Sequence, residues 1–254
     1  MRTGFLNHVS ALVKQSDLVA EILDARYPER TRNERLEKMV LENKKKLVLV
    51  MNKADLVTKD EAESRKHNLG EETGMKVIFL SAKEKDGINL LRREISESLG
   101  NKAGTVGIIG YPNTGKSSLI NALAGRGRGR VATSRKAGLT RGITRVKVSE
   151  GWYLLDSPGI IPFGEDEFDL FLIESKNPNQ LKDVAGVALK LIQFMGNERI
   201  EKGFKFEKGA LEGKDENDVL EAIAKKKRLI GSGGKADEDR AAREILEAYQ
   251  RHEV

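Results

Sequence analysis

Short apolar runs alternate with longer, more polar stretches along the first half of the chain. The runs are rich in Val, Ile and Leu, which is typical of buried strands, and the stretches between them have the length and character of helices. Strands that alternate with helices imply right-handed crossovers and a parallel sheet. The predicted strands are 17–24, 46–51, 76–80 and 105–109, and the predicted helices are 33–43, 59–72, 88–99 and 116–123.

The pattern changes in the later part of the chain. Residues 143–148 and 152–155 predict a hairpin, the only antiparallel pair that we expect in the sheet. From Pro162 onward the apolar spacing is helical. We therefore predict an α/β domain with a mostly parallel sheet over residues 1–165 and a small all-α C-terminal domain over residues 166–254. The helices predicted there are 180–195, 216–228 and 236–250.

Composition narrows the possible chemistry. A chain of 254 residues with 39% apolar residues can bury one core and a smaller satellite. It has no cysteine and three scattered histidines, so any metal must be held by oxygen ligands. No apolar run approaches the roughly 18 residues of a membrane span, and the first residues lack the apolar stretch of a signal peptide. We expect a cytoplasmic protein without a membrane partner.

The net charge of +6 is modest, but the cations are unevenly placed. Between residues 125 and 147 there are eight Lys or Arg residues and no acid, which favours contact with a polyanion such as RNA or nucleotide phosphates over a solvated loop. Residues 197–254 hold thirteen basic and fourteen acidic residues, so RNA binding there would need a local face. The run 225–228 could supply that face or could simply complement a helix dipole.

A glycine-rich loop follows the predicted strand 105–109 and opens a helix, which is the context of a phosphate loop. Glycines let backbone N–H groups converge on phosphate oxygens at the helix N-terminus. The lysine reaches the outer phosphates, and the first serine offers a hydroxyl to Mg2+. The predicted phosphate-binding residues are Asn113, Thr114, Gly115, Lys116, Ser117 and Ser118.

Two further segments each follow a predicted strand. Asn52, Lys53 and Asp55 lie in the sequence Asn-Lys-Ala-Asp, and the Asp55 carboxylate can accept from the ring N–H and the exocyclic amine of guanine together. Adenine presents the wrong donor pattern, so we expect guanine. The segment Ser81, Ala82 and Lys83 can donate backbone N–H groups to the guanine carbonyl. Ligands bind outside the carboxyl ends of strands in open α/β sheets, where both segments lie.

A third segment, Asp156-Ser157-Pro158-Gly159, closes the last predicted strand. Asp156 is a candidate Mg2+ ligand through water, and the Gly159 N–H is a candidate contact of the last phosphate. Thr140, between the phosphate loop and this aspartate, is the plausible second hydroxyl on the metal. Mg2+ takes octahedral oxygen ligation and keeps several waters, and Ser117, Thr140 and two phosphate oxygens leave room for them.

The order of these segments is unusual, since the base-binding segment comes first and Asp156–Gly159 comes last. With the segments 16–19, 23–26 and 31–33 and a looser match in the tail at 233–237 and 240–242, the chain resembles the circularly permuted GTPases of ribosome assembly, the YlqF/YawG-like family. The resemblance covers nearly the whole chain. It implies a P-loop NTPase-like fold, GTP hydrolysis, binding to rRNA or a precursor of the large ribosomal subunit, and a C-terminal domain that contacts RNA.

Two residues shape the expected catalysis. Ile160 stands where many GTPases have a glutamine that orients the attacking water, so intrinsic hydrolysis should be slow. Asn113 resembles the asparagine by which related GTPases hold K+ against the phosphates, where K+ supplies the charge that an arginine finger would otherwise give. We therefore treat Lys116, Thr140 and Asn113 as catalytic candidates. An arginine of residues 126–141 acting in cis is the alternative.

The permutation suggests a mechanical role, because the segment after Gly159 runs through residues 161–164 into the predicted helical domain. Nucleotide state could then reposition those helices. The favoured function is a slow GTPase switch in large-subunit assembly that works as a monomer. The alternative is a GTP-regulated RNA-binding module with incidental hydrolysis or another RNA target, and a small-molecule kinase is disfavoured by Asp55. The sequence leaves open whether Asp24 and Arg26 are structural or catalytic.

Overall fold

The computed structural model describes residues 3–125, 143–148, 151–156, 166–251 and 253–254, with the side chains of all but 3–7 and 232. The chain divides into two compact units, Met1–Gly164 and Glu165–Val254. Within the described ranges, no helix is long and apolar enough to cross a membrane.

A sheet runs through the first unit, and its described part has six strands in the order β3-β2-β1-β4-β6-β5. Neighbouring strands are parallel except for the hairpin formed by β5 and β6, as the sequence predicts. The mostly parallel α/β fold is therefore confirmed. The strands are β1 Leu18–Asp24, β2 Lys46–Asn52, β3 Lys76–Phe79, β4 Thr105–Ile109, β5 Thr144–Lys147 and β6 Tyr153–Asp156.

Helices cover both faces of this sheet. Side chains alternate across each strand, so β1 sends Leu18, Ala20 and Ile22 to one face and Val19 and Leu23 to the other. The first face packs on α5 and α6, and the second packs on α1, α3 and α4. The helices of the unit are α1 Thr3–Gln15, α2 Pro28–Thr31, α3 Glu34–Glu42, α4 Lys59–Thr73, α5 Ile88–Ser98 and α6 Lys116–Ala124.

Helix α1 is absent from the elements predicted from the sequence. Its residues Val9, Leu12 and Val13 are fully buried, and their spacing is a helical signal that sequence reasoning could have used. The helix packs against β4, where a Cβ on Gly107 would lie 2.5 Å from both Leu12 Cδ2 and Ser16 Oγ. A glycine in the middle of β4 therefore lets the helix approach the sheet closely.

Local caps set the bounds of the helix that follows the base-binding segment. Thr58 begins α4 with a capping box, in which its hydroxyl accepts from Glu61 N and the Glu61 carboxylate accepts from Thr58 N. Gly74 ends the helix in the left-handed conformation, with φ of 65°. The sequence predicted this helix within one residue because both signals are local.

The second unit is built from helices, as the sequence pattern predicts. Its central helix α8 packs against α7, α9, α10 and α11, and α10 also packs against α11. Buried apolar residues such as Phe171, Leu191 and Ile245 form its core. The helices are α7 Glu167–Leu172, α8 Val184–Met195, α9 Asn197–Phe204, α10 Glu216–Lys226 and α11 Glu238–Gln250.

Aspartates begin four of these helices by accepting from a backbone N–H of the first turn. One cap corrects the predicted helix 180–195. Residues Pro178–Gln180 form a separate 3-10 turn, and Asp183 caps α8 by accepting from Gly186 N at 2.9 Å. The α-helix therefore begins only at Val184. The capping residues are Asp166, Asp183, Asp215 and Asp237.

Candidate nucleotide-binding site

The predicted nucleotide-binding segments meet at one edge of the sheet in the first unit. Strands β1, β2, β3, β4 and β6 run in the same direction, so their carboxyl ends lie along this edge. The segments after β2, β3 and β4 and the last residue of β6 are the ones that the sequence singled out. Parallel topology thus brings together residues that are up to a hundred positions apart in the chain.

Asn52 connects three of these segments. Its Nδ2 donates to the Thr114 carbonyl at 2.8 Å, and its Oδ1 accepts from Ala82 N at 2.9 Å. A Cβ on Gly115 would lie 2.2 Å from Asn52 Nδ2, and Gly115 has φ of 89°. Gly115 therefore serves both the turn and the close approach of Asn52, whose side chain is almost completely buried.

A hydrogen bond between Asp55 and Ser81 joins the two predicted base-binding segments. Ser81 Oγ donates to Asp55 Oδ1 at 2.6 Å and accepts from Glu84 N at 3.1 Å. Asp55 lies at the surface, in a 3-10 turn over Ala54–Leu56, while Ser81 is buried. The Ser81 hydroxyl therefore holds the Asp55 carboxylate in place, a role that the sequence alone did not indicate.

Two backbone N–H groups of the segment after β3 already donate hydrogen bonds within the protein. Ser81 N donates to Asp86 O at 3.1 Å, and Ala82 N donates to Asn52. A guanine carbonyl at this edge would share the Ala82 N–H with Asn52 or take the N–H of the exposed Lys83.

The phosphate loop has the backbone conformation that its glycines require. Gly110 has φ of 143°, and a Cβ there would lie 2.5 Å from the Ile22 carbonyl oxygen of β1. Thr114 Oγ1 donates to the Tyr111 carbonyl at 3.0 Å. The Lys116 ammonium group donates to the same carbonyl, so the lysine folds back over the loop.

Three polar residues of this loop face solvent. Asn113 is exposed and has a left-handed backbone, with φ of 61°. Ser117 and Ser118 are exposed on the first turn of α6. This turn offers backbone N–H groups and the positive end of the helix dipole, as anion binding requires.

Lys116 is buried and Asp156 is half-buried, and their opposite charges influence each other. Burial lowers the pKa of Lys116 to about 8, and the nearby Asp156 charge only partly opposes this shift. Burial also raises the pKa of Asp156, against the effect of Lys116. Both groups therefore lie in an environment that disfavours their charged forms.

The oxygen groups at the phosphate end of the site are suitable ligands for Mg2+. Asp156 Oδ1 is buried and accepts no hydrogen bond from the part of the chain that the structure describes. The described residues contain no group of three or more His, Cys, Asp or Glu side chains that could hold a metal ion. A cation here would therefore take its ligands from a hydroxyl such as that of Ser117, from Asp156 through water, and from phosphate oxygens, which is the ligation that Mg2+ accepts.

Some predicted site residues cannot be placed. Thr140 and Gly159, together with Ile160 and the cationic block 126–141, lie outside the described residues. Their assigned roles stay predictions.

The Lys53 side chain contacts the end of β1. Its Nζ lies 2.9 Å from Asp24 Oδ2 at the end of β1, and Arg26 binds the same carboxylate. The sequence placed Asp24 and Arg26 at a strand end but gave no sign of their contact with Lys53. Only the register of β1 and β2, which pairs Asp24 with Asn52, explains it.

Three lysines of the basic run 225–228 have partners within the second unit. Lys225 pairs with Glu221 at 2.8 Å, and Lys227 pairs with Glu244 at 2.7 Å. Lys226 Nζ donates to the Lys205 carbonyl at 2.5 Å. These contacts tie the three lysines to their own unit, and both interpretations of the run, an RNA-binding face or a complement to the helix dipole, stay predictions.

Two family models match the chain. A model described as RsgA GTPase matches residues 7–165, and one described as 50S ribosome-binding GTPase matches residues 105–230. The chain belongs to the circularly permuted YlqF/RsgA-like GTPases. This family is the one that the order of the segments indicated, and the order has a simple structural basis. Residues 99–104 suffice to lead from α5 into β4 and the phosphate loop.

Curated relatives of this GTPase family are similar over almost the whole chain. An uncharacterized GTP-binding protein of Methanocaldococcus jannaschii is 38% identical, over 95% of this chain and 64% of that protein. GTPase grn1 of Schizosaccharomyces pombe is 31% identical, over 96% of this chain and 59% of that protein. The chain thus spans less than two thirds of the length of these relatives.

A solved structure of the family has the same fold. YlqF from T. maritima in its GDP-bound form aligns with a TM-score of 0.62 and 22% identity, over 96% of this chain and 94% of that chain.

Proposed function

We propose that this protein binds and hydrolyses GTP slowly and acts as a nucleotide-dependent switch in assembly of the large ribosomal subunit. The observation that carries the nucleotide part is the Asn52 side chain, which joins the phosphate loop to both base-binding segments. A site of this construction would couple recognition of a base to recognition of phosphates. The matched family of 50S ribosome-binding GTPases supports the ribosomal part, as does the name of one relative, Nucleolar GTP-binding protein 2 of Neurospora crassa.

In this proposal the base lies at Asp55 and the phosphates lie at the first turn of α6. Asp55 accepts from the guanine N–H groups while the Ser81 hydroxyl holds its carboxylate. Lys116, freed from the Tyr111 carbonyl, turns to the outer phosphates. Ser117, Thr140 and Asp156 hold Mg2+, which when bound neutralises phosphate charge.

Slow hydrolysis and activation by K+ follow from two residues. Ile160 provides no amide to orient water, and Asn113, exposed at the phosphate loop, offers an oxygen to a monovalent cation. The test measures GTP turnover by the full chain in KCl and in NaCl, with and without large-subunit precursor particles. We expect turnover to rise only with K+ and particles, and equal rates in the two salts would refute the role of K+.

Asn101 provides a matched control for Asn113. Both residues are exposed and have left-handed backbones, with φ of 61° for Asn113 and 58° for Asn101, so replacement by alanine strains the two positions alike. Asn113→Ala should abolish the response to K+, and Asn101→Ala should keep it.

The ribosomal role predicts that affinity for precursor particles differs between a GTP analogue and GDP. We assign the RNA contact first to the cations of residues 126–141, because those of 225–227 have partners within the second unit. Thr140→Ala should keep most of the nucleotide affinity and lose hydrolysis, whereas Lys116→Ala should lose nucleotide. Normal cellular function of Thr140→Ala, or equal particle affinity in both nucleotide states, would favour the alternative of an RNA-binding module with incidental hydrolysis.

A further inference from the structure

The turn Asp24-Ala25-Arg26 follows β1 beside the segment Asn52–Asp55, which we call the base loop. The Asp24 side chain is 1% exposed, so it is a carboxylate buried at the edge of the sheet. Arg26 binds it through two bonds, Nε to Oδ1 at 3.0 Å and Nη2 to Oδ2 at 2.8 Å, and Arg26 N also donates to Oδ1. A buried carboxylate with this many donors is fixed in its orientation.

The second cation on Asp24 comes from the base loop itself. Lys53 Nζ lies 2.9 Å from Oδ2, and Lys53 has a left-handed backbone with φ of 64°, an unfavourable conformation for a lysine. Burial alone would raise the pKa of Asp24, but the hydrogen bond and charge of Arg26, together with Lys53, lower it below its ordinary value. Asp24 therefore favours its charged form, and this charge lies against the Lys53 ammonium group.

The backbone of the same turn forms hydrogen bonds with the residue before Lys53 and with the helix that follows the base loop. Ala25 N donates to the Asn52 carbonyl at 2.8 Å, just before Lys53. On the other side, Arg65 of α4 donates from Nη1 to the Ala25 carbonyl at 2.6 Å and to the Arg26 carbonyl at 2.8 Å. The base loop is thus attached to one turn at its start, through its lysine, and through the helix that follows it.

A comparable ion pair in the same unit makes no direct contact with the base loop. Arg32 binds Glu37 through Nε at 2.6 Å and Nη2 at 3.0 Å, and Glu37 is also buried. These contacts join α3 to the end of α2, and Arg32 also donates to Glu72 near the C-terminal end of α4 at 2.5 Å. None of them includes a residue of the base loop. The pair therefore shows what a purely structural bidentate contact looks like in this protein.

We propose that Asp24 is a positioning residue for guanine recognition, which with Arg26 holds Lys53 and thereby the base loop in the conformation that presents Asp55 to the base. The inference rests on the proposed role of Asp55 in binding guanine. Asp24 itself touches no nucleotide in this proposal. It acts through Lys53.

The test measures GDP affinity of the full chain by titration calorimetry. Asp24→Asn keeps the size of the side chain and removes its charge, and we expect Kd for GDP to rise about tenfold, because the buried ion pair that holds Lys53 is weakened. Arg26→Lys keeps the charge but loses the two-bond fork, and should give a smaller rise. Glu37→Gln breaks the control pair and should lower the melting temperature while leaving Kd within about twofold.

Two readouts separate positioning from a merely structural role. Inosine diphosphate lacks the exocyclic amine of guanine, so the ratio of its Kd to that of GDP reports how well Asp55 is aimed. Asp24→Asn should reduce this ratio, whereas a loss of stability alone would not change it. If Asp24 acts through Lys53, the Lys53→Met variant and the double variant Lys53→Met with Asp24→Asn should have the same Kd for GDP. Once Lys53 has lost its ammonium group, Asp24→Asn has no further contact with the base loop to remove.

The outcomes distinguish the inference from the proposed function. If Asp55→Asn keeps the preference for guanine, the proposed base-binding role is wrong. If Asp55→Asn loses that preference while Asp24→Asn keeps wild-type Kd and ratio, the base-binding role stands and the positioning role is overturned. If Asp24→Asn does not fold, Arg26→Lys decides, and wild-type Kd and ratio in that variant would overturn the inference.

Discussion

The proposed base-binding side and the proposed phosphate-binding side of the carboxyl edge differ in how their polar groups are satisfied. On the base side, Asn52, Ser81 and Asp24 have hydrogen-bond partners among the described residues, and these partners fix the base loop. On the phosphate side, Lys116 is buried and Asp156 is half-buried, both have shifted pKa values, and Asp156 Oδ1 accepts no hydrogen bond within the described part of the chain. The side chains of the base side are already held by contacts within the protein. The charged groups of the phosphate side lack a full set of partners, which the charges of a bound ligand would supply.

This difference has a physical basis. A buried network whose members are all satisfied is rigid, and it lowers the entropy lost when a ligand binds. A buried charge that lacks a full set of partners costs free energy, and a phosphate with its cation would recover that cost on binding. We therefore expect the base side to set specificity and the phosphate side to set the dependence of affinity on charge and pH.

The largest effect should come from the residue that chooses the base. Asp55→Asn replaces an acceptor by a group that also donates, and we expect GDP affinity to fall by roughly 100- to 1,000-fold. Xanthine carries a carbonyl where guanine carries the exocyclic amine, so xanthosine diphosphate should gain affinity in this variant. Competition binding measures both. Asp60→Asn, an exposed change in α4, is the control, and a similar loss there would contradict the role of Asp55.

A smaller loss should follow from cutting the link between the two sides. Asn52→Ala leaves the Thr114 carbonyl and the Ala82 N–H without the side chain, and we expect a rise in Kd for GDP of roughly 30-fold with a loss of stability of about 2 kcal/mol. Titration calorimetry and urea unfolding measure the two quantities. Asn33→Ala is the matched control, since Asn33 is buried and caps α3 away from the site. It should lose stability but keep affinity, and equal affinity losses would argue against the link.

The phosphate side should respond to pH. The pKa of Lys116 is about 8 in the folded protein, below its ordinary value of 10.5, and phosphate charge should raise it. Above pH 8 the free protein loses this proton, so GDP binding must take one up and affinity should fall by up to tenfold from pH 8 to 9. Calorimetry of GDP binding between pH 7 and 9 tests this. Lys116→Met should bind weakly with a flatter profile, and an unchanged slope would exclude Lys116 as the source.

The lowered pKa of Lys116 affects folding stability in the opposite direction: stability should rise with pH, whereas GDP affinity should fall. Below pH 8 both the folded and the unfolded protein hold the Lys116 proton, so the cost of burying the charge is fully present. Between pH 8 and 10.5 the unfolded state holds the proton and the folded state releases it, so this lysine adds stability as pH rises. Urea unfolding of the nucleotide-free protein should show that increment, and Lys116→Met should lack it.

The smallest effect should come from the residue that steadies Asp55. Ser81→Ala removes a hydroxyl that donates to the carboxylate, and GDP affinity should fall about threefold to tenfold. Ser98→Ala removes a hydroxyl that donates to Glu94 in α5, and should change the affinity by less than twofold. If the two variants behave alike in a GDP titration, the contact between Ser81 and Asp55 has no part in binding.

Much of this arrangement was predictable from the sequence. The phosphate loop, the base loop and Asp156 were found because each combines residue types with a strand that precedes it. The predicted helix 59–72 matches α4 to within one residue, and its caps at Thr58 and Gly74 are local signals that act within one turn. Helix α1 was missed although Val9, Leu12 and Val13 carry its periodicity. Helix α8 was extended too far because the cap at Asp183 was overlooked.

Other features could not be predicted because they depend on which strands become neighbours. The contact of Lys53 with Asp24 joins residues about 30 positions apart and follows from the register of β1 with β2. The link from Asn52 to Thr114 spans twice that distance in the chain, and the burial that shifts the pKa of Lys116 and Asp156 comes from the elements packed around them.

The sequence by itself determined the fold class, the family and the chemical types of the segments proposed to bind nucleotide, because periodicity, caps and short motifs act over a few residues. Only the tertiary structure decided which side chains hold those segments in place and which charges are left to a ligand. Those properties arise from strand register and from burial, and neither can be derived from neighbouring positions in the chain.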